Sequence, residues 1–378
     1  MASNSTLAKA KKNQHDEYYT QLTDIEKELK HYKEHFENKV IFCNCDDPEE
    51  SNFWKYFNLN FDKFKLKKLI TTHYEKEKQS YMLEMYRDEN GVHSEIKTLK
   101  QNGDFRSPEC IELLKEADIV ITNPPFSLFR EYVTQLMEYD KKFLIIGRPD
   151  VCNYKGFFQY IIEEKMWMGY KSPSEDMLFD VNEDFAKWLK ENKKENSGYK
   201  IVDGVLKGRA PAVWWTNLDI KKRHEQIILG CNSYTSDKYP KFDNYDAINV
   251  QEINDIPYDY YGVMGVPVTY LYQHCPDQFE IIGITLGRAE FSKEGNPTKR
   301  YKKAKQHSYS KKDCAYKTTN GSKTNTGASI RYVKKEDLPT DKSGNYKTYY
   351  TAENVIGYLQ MKYPRVLIRR IKIENDDE

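Results

Sequence analysis

The sequence predicts an α/β fold, with a doubly wound sheet in residues 1–217 and a mixed α+β region in residues 218–378. In the first part, apolar runs of strand length alternate with segments whose apolar residues recur at helical spacing, which is typical of a sheet covered by helices on both faces. After Asn217, short tyrosine-rich segments separated by turns replace that alternation. A chain of 378 residues is long enough for two domains that each bury a core.

The composition favours a folded, cytoplasmic protein with reduced thiols. Hydrophobic residues make up 39% and charged residues 31%, and 30 tyrosines, 17 phenylalanines and 5 tryptophans supply large side chains for burial. No apolar stretch reaches the roughly 18 residues of a membrane span. The start of the chain, with Lys9, Lys11 and Lys12, lacks the apolar core of a secretory signal. Seven cysteines and eight histidines show no ligand spacing, so we expect neither a disulfide framework nor a metal site.

The first predicted elements are a helix and two parallel strands. Thr23 and Glu26 have the spacing of a capping box. The apolar residues that follow at helical spacing are Ile25, Leu29, Tyr32 and Phe36. Residues 39–44 and 69–72 are apolar runs of strand length, separated by about one helix. Strand, helix, strand is the repeating unit of a parallel sheet.

A hairpin and a short helix come next. The Asn90-Gly91 pair predicts a two-residue turn between strands at 80–87 and 92–100. Ser107 followed by Pro108 is typical of a capped helix start. The next strand is predicted at residues 118–122.

Four residues that could take part in binding or catalysis follow that strand: Asn123, Pro124, Pro125 and Phe126. A helix is predicted to begin at Ser127, and the next strand lies at 143–146. In open α/β sheets, ligands bind outside the carboxyl ends of the strands, so the position of this tetrad is informative.

The tetrad fits an amino group that is conjugated with an aromatic ring. The Asn123 side-chain oxygen and the Pro124 carbonyl can accept both of its hydrogens and direct the nitrogen lone pair, while Phe126 offers a face for a base taken out of its stack. The alternative is a loop whose prolines end a strand and whose phenylalanine joins the core. The place between a buried strand and a helix favours the functional interpretation.

The positive charge is concentrated late in the chain. The whole chain has a net charge of only +1, but residues 293–323 carry ten basic and two acidic residues. We predict a loop at 293–329 that binds nucleic-acid phosphates, because tyrosines are interleaved with the basic residues. The alternative is an ordinary solvated surface. The predicted DNA contacts are Lys299, Arg300, Lys302, Lys303 and Lys305.

Over nearly its whole length, the sequence resembles the EcoRI-type adenine-specific DNA methyltransferases. Beside the tetrad, the motifs that carry the resemblance are Asp16-Glu17-Tyr18-Tyr19-Thr20, Cys43-Asn44-Cys45-Asp46-Asp47-Pro48 with Ser51-Asn52-Phe53, Gly103-Asp104-Phe105-Arg106-Ser107, Trp214-Trp215-Thr216-Asn217-Leu218, Gly262-Val263-Met264-Gly265-Val266-Pro267 and Pro364-Arg365-Val366-Leu367-Ile368-Arg369-Arg370. No single motif is decisive, but their order and spacing together are specific.

The resemblance implies a class I methyltransferase fold of the Rossmann-like type that uses S-adenosylmethionine. It implies that the cofactor is bound by Tyr18, Tyr19, Thr20, Cys45, Asp46, Asp47, Asp104 and Phe105. The first six would frame the methionine part, and Asp104 would approach the adenine amino group. The alternative is that Asp46 and Asp47 cap a helix and that Asp104 makes a turn.

Two features depart from the wider methyltransferase pattern. After Pro48, many relatives have glycines that let the cofactor approach the backbone, whereas this chain has Ser51 and Phe53. At the end of the second strand no acidic residue is obvious for the ribose hydroxyls, because Thr72, His73 and Tyr74 precede Glu75, so that role stays unassigned.

The resemblance implies a site-specific enzyme that methylates N6 of an adenine flipped out of double-stranded DNA, with residues 218–378 reading the site. It would act in restriction-modification, beside a cognate endonuclease of the same specificity, or as an orphan methylase. The alternatives are methylation of RNA adenine or of a protein glutamine, and a catalytically silent DNA-binding protein. Trp214 and Trp215 are either core residues or a second stacking face for the base.

Overall fold

A computed structural model describes residues 19–75, 80–153, 156–241, 247–284, 329–332, 349–352, 355–360 and 365–372. The chain divides into two compact units. The first comprises residues 1–151 and 166–220, and the second comprises residues 152–165 and 221–378.

The α-helices of the described residues are α1 (Leu22–Leu29), α2 (Asn52–Leu59), α3 (Pro108–Glu116), α4 (Phe129–Glu138), α5 (Phe157–Ile162) and α6 (Glu183–Asn192). The strands of the first unit are β1 (Tyr19–Thr20), β2 (Val40–Cys43), β3 (Lys68–Thr72), β4 (Tyr81–Asp88), β5 (Gly91–Thr98), β6 (Ile119–Thr122), β7 (Lys142–Gly147), β8 (Trp167–Met168), β9 (Met177–Asp180), β10 (Tyr199–Val202), β11 (Val205–Ala210) and β12 (Val213–Thr216). The strands of the second unit are β13 (Ile248–Asn249), β14 (Val263–Pro267), β15 (Phe279–Ile284), β16 (Ser329–Tyr332), β17 (Tyr349–Ala352), β18 (Val355–Gln360) and β19 (Arg365–Arg370).

The first unit contains an eight-stranded sheet in the order β5-β4-β3-β2-β6-β7-β12-β8. Its four central strands, β3, β2, β6 and β7, are parallel, and the strands on both sides of them are antiparallel. From β2 the chain first adds β3 on one side and later β6 on the other. The strand order therefore reverses between β2 and β6, where open α/β sheets bind their ligands.

The central strands form because runs of buried apolar residues dominate them. Every residue of β2 and of β6 is buried, as expected for parallel strands covered on both faces. The predicted alternation of strands and helices is confirmed as a mixed α/β architecture. The predicted Asn90-Gly91 hairpin is also confirmed. It consists of β4 and β5, and β4 pairs with β3 at the edge of the same sheet.

Two predicted helix starts differ from the structure. The capping box at Thr23 is wrong: the chain enters α1 directly after β1, so Gln21 is the N-cap and no side chain caps the helix. The helix expected at Ser127 begins at Phe129, because a turn closed by the Leu128 N–H on the Pro125 carbonyl (2.9 Å) precedes it. The predicted Ser107 cap is confirmed, with its Oγ accepting from the Cys110 N–H.

A second, four-stranded sheet in the order β1-β9-β11-β10 belongs to the same unit. β12 runs antiparallel to β7 with Val213 opposite Gly147, so β12 begins at the carboxyl edge of the parallel strands. β8 is antiparallel to β12 and therefore ends at that edge. The connection from β8 into the small sheet and the connection from the small sheet into β12 thus both lie at the edge at which β2 and β6 end.

The second unit contains a four-stranded sheet in the order β13-β14-β19-β15 and a three-stranded sheet in the order β16-β18-β17. Residues 365–370, part of the last motif quoted for the resemblance, form β19, which lies between β14 and β15. Helix α5 packs on β15. Within the described residues, no helix is long and apolar enough to cross a membrane.

Candidate active site

The end of β2 is held by helix α4. The Tyr132 hydroxyl donates to Asn44 Oδ1. Burial raises the pKa of Tyr132 well above its usual value, so this hydroxyl keeps its proton at neutral pH. Asn44 is 2% exposed, and its Nδ2 finds no hydrogen-bond partner among the described residues. A buried amide donor therefore lies directly after β2.

Asp46 connects the ends of β2 and β6. Its carboxylate accepts hydrogen bonds from the Thr122 hydroxyl and from the Asn123 backbone N–H. Burial raises the pKa of Asp46 to about 7, although these bonds and one to Ser51 favour the charged form. The Asp46 side chain consequently holds the first residue of the tetrad at the point where the strand order reverses.

Asp47 contacts the neighbouring strands β3 and β4. Its carboxylate accepts from the Tyr81 hydroxyl at 3.0 Å and lies 3.1 Å from His73 Nδ1. The other ring nitrogen of His73 lies 3.5 Å from a Glu75 carboxylate oxygen. The structure therefore joins Asp47 to the end of β3 through a histidine that the sequence interpretation left without a role.

Asp104 is paired with Arg106 at the end of β3. Burial acts to raise the pKa of Asp104, but the hydrogen bonds and the charge of Arg106 outweigh it and hold that pKa below its usual range. Arg106 donates to both carboxylate oxygens, at 2.9 and 2.7 Å. Gly103 has a φ of +77°, and a Cβ at that position would lie 1.9 Å from the His73 carbonyl oxygen. Only glycine permits this close approach.

Phe105 links the Asp104 loop to α4. Its ring meets the Tyr132 ring edge to face at 5.0 Å, and its carbonyl accepts from Gln135 Nε2 at 3.1 Å. Burial raises the pKa of Cys45, and the negative charges of Asp46 and Asp104 raise it further. Both carboxylates are therefore close enough to act on the Cys45 thiol.

The tetrad is linked to β1 through β9. Pro124 is buried, and Asn123 and Phe126 are partly buried. Phe126 contacts the Phe179 ring at 6.4 Å, and Phe179 is the register partner of Thr20.

Thr20 also reaches the first residue of α2, which follows the loop after β2. The Thr20 carbonyl accepts from Asn52 Nδ2 at 2.8 Å. Its own buried hydroxyl has no partner among the described residues. Tyr19 lies in β1, and Tyr18 lies outside the described residues.

The structure therefore brings nearly all the predicted cofactor and tetrad residues to one edge of the sheet. Those it places there are Thr20, Cys45, Asp46, Asp47, Asp104, Phe105 and Asn123 to Phe126. The predicted DNA contacts Lys299, Arg300, Lys302, Lys303 and Lys305 lie outside the described residues.

Of the two alternatives for the tryptophan pair, the structure supports core residues and not a second stacking face. Both indoles are fully buried, because β12 places Trp214 against Phe53 and Trp215 against the sheet beside Arg148. The helix cap expected from Asp46 and Asp47 in the alternative interpretation is provided by Ser51, whose Oγ accepts from the Phe53 N–H at 3.0 Å.

Three residues of this edge were not singled out from the sequence: Thr122, Tyr132 and His73. Thr122 is the last residue of an apolar strand, and Tyr132 belongs to the apolar stripe of α4. The sequence signal that could have identified Thr122 and Tyr132 is a hydroxyl side chain within an apolar segment, because a buried hydroxyl needs a hydrogen-bond partner. Within the described residues, no group of three histidine, cysteine or acidic side chains is arranged to hold a metal ion.

Comparisons with known proteins agree with this arrangement. The family model described as "Adenine-specific methyltransferase EcoRI" matches residues 6–370. The type II methyltransferase M.EcoRI of Escherichia coli is 46% identical over 301 residues, which cover 76% of this chain and 91% of that protein. The type II methyltransferase M.MpnI of Mycoplasma pneumoniae is 41% identical over 278 residues, which cover 72% of this chain and 84% of that protein. No solved structure matches the chain. On the breadth of these matches, the chain belongs to the EcoRI family of adenine-specific methyltransferases.

Proposed function

We propose that the carboxyl edge between β2 and β6 transfers a methyl group from S-adenosylmethionine to N6 of an adenine rotated out of duplex DNA. The chain is an adenine-specific methyltransferase by family. The observation that carries the proposal is the bridge made by Asp46, which holds Thr122 and Asn123 beside the carboxylates of the β2 loop. The parallel order β3-β2-β6-β7 with antiparallel β12 supports a class I methyltransferase fold.

The side chains at this edge fit S-adenosylmethionine. Carboxylates suit its ammonium and its adenine amino group, and we assign these contacts to Asp46 or Asp47 and to Asp104. The buried donors that lack partners, Asn44 Nδ2 and the Thr20 hydroxyl, suit its carboxylate and hydroxyl groups. When bound, this cofactor supplies an electrophilic methyl group on a sulfonium centre.

The tetrad orients the adenine. The Asn123 side-chain oxygen and the Pro124 carbonyl accept the two N6 hydrogens and hold the amino group with its lone pair toward the methyl group. Phe126 stacks on the base, and its contact with Phe179 fixes the plane of the ring. The rate gain comes from positioning, and the nitrogen attacks before it loses its proton, so no strong general base is required.

The second unit and the basic loop complete the proposal. Residues 218–378 read the recognition site, and Lys299, Arg300, Lys302, Lys303 and Lys305 bind phosphates of double-stranded DNA. The relatives are named as type II methyltransferases. A cognate restriction endonuclease acting on the same site is the corresponding partner of this chain.

Replacing Asn123 tests the proposal. Asn123→Ala should lower methyl transfer from tritiated S-adenosylmethionine to DNA by about 100-fold or more, because it removes a hydrogen bond at the reacting amine. Cofactor and DNA affinities should persist. Asn58→Ala, which removes an exposed amide from α2, is the matched control and should keep full turnover.

Near-normal turnover of Asn123→Ala would contradict the proposed catalytic role of the tetrad. Modification-sensitive sequencing of host DNA after expression identifies the methylated base. Label that appears in RNA or protein and not in DNA would favour the alternative substrates, and DNA binding by the wild-type chain without any transfer would favour a silent binding protein.

A further inference from the structure

Strand β5 is an edge of the eight-stranded sheet, and no strand in the described part of the chain pairs with its outer side. It pairs with β4 over eight residues, from Gly91 to Thr98, without a shift in register. Natural proteins protect such edges with prolines, bulges, short strands or charged side chains. β5 has no proline and no bulge, and its one lysine, Lys97, contacts Glu84 of β4. This edge is therefore suited to pairing with another strand.

The backbone groups of alternate β5 residues point away from β4. The two-residue turn makes Asp88 and Gly91 a hydrogen-bonded pair across the hairpin. The Leu99 N–H donates to the Ser80 carbonyl at 2.8 Å, so the alternation holds to the other end of the strand. The odd-numbered residues of β5 therefore bond to β4. The N–H and C=O groups of its even-numbered residues face outward, where another strand could bind them.

The side chains of β5 form one apolar face and one charged face. Val92 and Ile96 lie on the face that carries Leu83 of β4, which packs against the hydrophobic core. Val92 is 41% exposed and Ile96 is 72% exposed, so this apolar face continues from the core into solvent. The opposite face of β5 carries His93 and Glu95. Both faces reach the edge of the sheet with side chains that a paired strand could contact.

The sequence of β5 is complementary to itself in the antiparallel direction. When two copies pair about a two-fold axis at Ser94, Val92 of each copy faces Ile96 of the other, and His93 faces Glu95. Ser94 with its own copy, and Val92 with Ile96, then form the hydrogen-bonded pairs, which use the outward backbone groups. His93 and Glu95 form the closer pair between them, with opposite charges when the imidazole is protonated. An axis at Glu95 would instead bring two carboxylates together.

We propose that two copies of this chain associate through β5, as antiparallel edge strands related by a two-fold axis at Ser94. The occupant of the edge is a second copy, because the backbone groups, the apolar side chains and the charged side chains all match in one register of the same sequence. Each contact then occurs twice, as a symmetric dimer requires. β5 carries none of the residues assigned to methyl transfer, so the proposal does not depend on the proposed function.

Sedimentation velocity over a concentration series tests the association. We expect the full chain to change from monomer to dimer as its concentration rises. Ile96→Lys should weaken dimerisation by about 10-fold or more, because a lysine on an edge strand opposes pairing and the change occurs twice in each dimer. The control is Ile228→Lys, which makes the same substitution at an exposed isoleucine of the second unit. This control should dimerise like the wild-type protein.

A charge exchange tests the register. His93→Asp alone places carboxylates opposite each other on both sides of the axis and should weaken dimerisation by about 10-fold. His93→Asp combined with Glu95→Lys places opposite charges there again and should recover most of the association. His93 also lies 2.8 Å from Asp88 of its own hairpin, and Glu95→Lys does not restore that contact. Recovery in the double variant therefore reports the contact between copies.

Hydrogen exchange shows what covers the edge. The amides of Val92, Ser94 and Ile96 should exchange slowly in the wild-type dimer, and those of Val92 and Ser94 should exchange quickly in Ile96→Lys at a concentration where it is monomeric. A wild-type chain that stays monomeric at every concentration would overturn the proposal, as would a dimer that neither Ile96→Lys nor His93→Asp weakens. Slow exchange of these amides in a monomer would assign the edge to another segment of the same chain and would also overturn it.

Discussion

Asp46 makes the stability of the protein depend on pH in a specific direction. In an unfolded chain an aspartate loses its proton near pH 3.9, whereas burial keeps the folded-state pKa at about 7. Between these values the folded form binds more protons, so the contribution of Asp46 to the free energy of unfolding falls as pH rises from about 4 to about 7.

Asp46→Asn should remove this contribution. We expect the melting temperature of the variant, relative to that of the wild-type protein, to be higher at pH 8 than at pH 5. Differential scanning fluorimetry without cofactor measures both values. An equal difference at the two pH values would contradict a buried, proton-retaining Asp46.

Thr122 is expected to act on catalysis through Asn123. Thr122→Val keeps the shape of the side chain but removes the hydrogen bond to Asp46, and hydrogen bonds to charged groups contribute about 1.5–3 kcal/mol. We expect kcat to fall by about 10-fold or more, with little change in S-adenosylmethionine affinity.

The control for this variant is Thr216→Val. Thr216 is equally buried at the end of a strand, and its hydroxyl donates to the Phe143 carbonyl at 2.7 Å. This variant should lose stability and keep its kcat. Equal losses of kcat in both variants would mean that Thr122 only supports the fold.

At the scale of single residues, the sequence predicts the place of polar residues that directly follow an apolar run. It does not predict residues whose role depends on a contact with a distant part of the chain. The Asn123 tetrad and the Asp46-Asp47 pair follow apolar runs, so the sequence pattern indicates that they lie at strand ends. Tyr132 is different, because its contacts with Asn44 and Phe105 connect elements that are distant along the chain. No spacing within the sequence reports such contacts.

The loop that carries Asp104 depends on one glycine. Gly103→Ala should displace the loop, because the new Cβ would lie 1.9 Å from the His73 carbonyl. We expect weaker S-adenosylmethionine binding by calorimetry, together with a lower melting temperature.

Gly204→Ala separates backbone strain from this steric clash. Gly204 has a similar φ of +80°, but nothing lies within 4 Å of its Cβ position. Strain alone should cost about 1 kcal/mol at either site, so only Gly103→Ala should lose cofactor affinity. Unchanged affinity in both variants would show that the position of Asp104 does not matter.

At the scale of elements, long apolar runs were predictable and short polar strands were not. β2, β6 and β7 each contain a run of at least three buried apolar residues, and the Asn90-Gly91 turn fixes the hairpin at the edge of the same sheet. β1 has two residues and β10 is half exposed, so neither shows a strand pattern of its own. The small sheet exists because its strands pair with each other across more than 150 residues of chain, such as Thr20 with Phe179.

At the scale of the whole molecule, the net charge of +1 hides the concentration of basic residues at 293–323. Changing Lys299, Arg300, Lys302, Lys303 and Lys305 together to Gln should flatten the salt dependence of DNA binding, by about 0.9 in slope for each phosphate contact. Affinity should fall alike for all DNA sequences, because phosphate contacts carry little sequence information. Filter binding over a salt series measures this. An unchanged slope would mean that these basic residues do not bind DNA phosphates.

The chain passes between its two units three times, since residues 152–165 cluster with the second unit and the chain then returns to the first. Phe157, Phe158, Ile161 and Ile162 of α5 are buried, and α5 packs on β15. A chain cut after residue 220 would therefore expose an apolar helix whose packing partner is gone. Recombination that exchanged the second unit between relatives would have to replace two separate stretches of the gene at once. A changed second unit is thus expected to arise in this chain by point substitution more readily than by exchange of one continuous cassette.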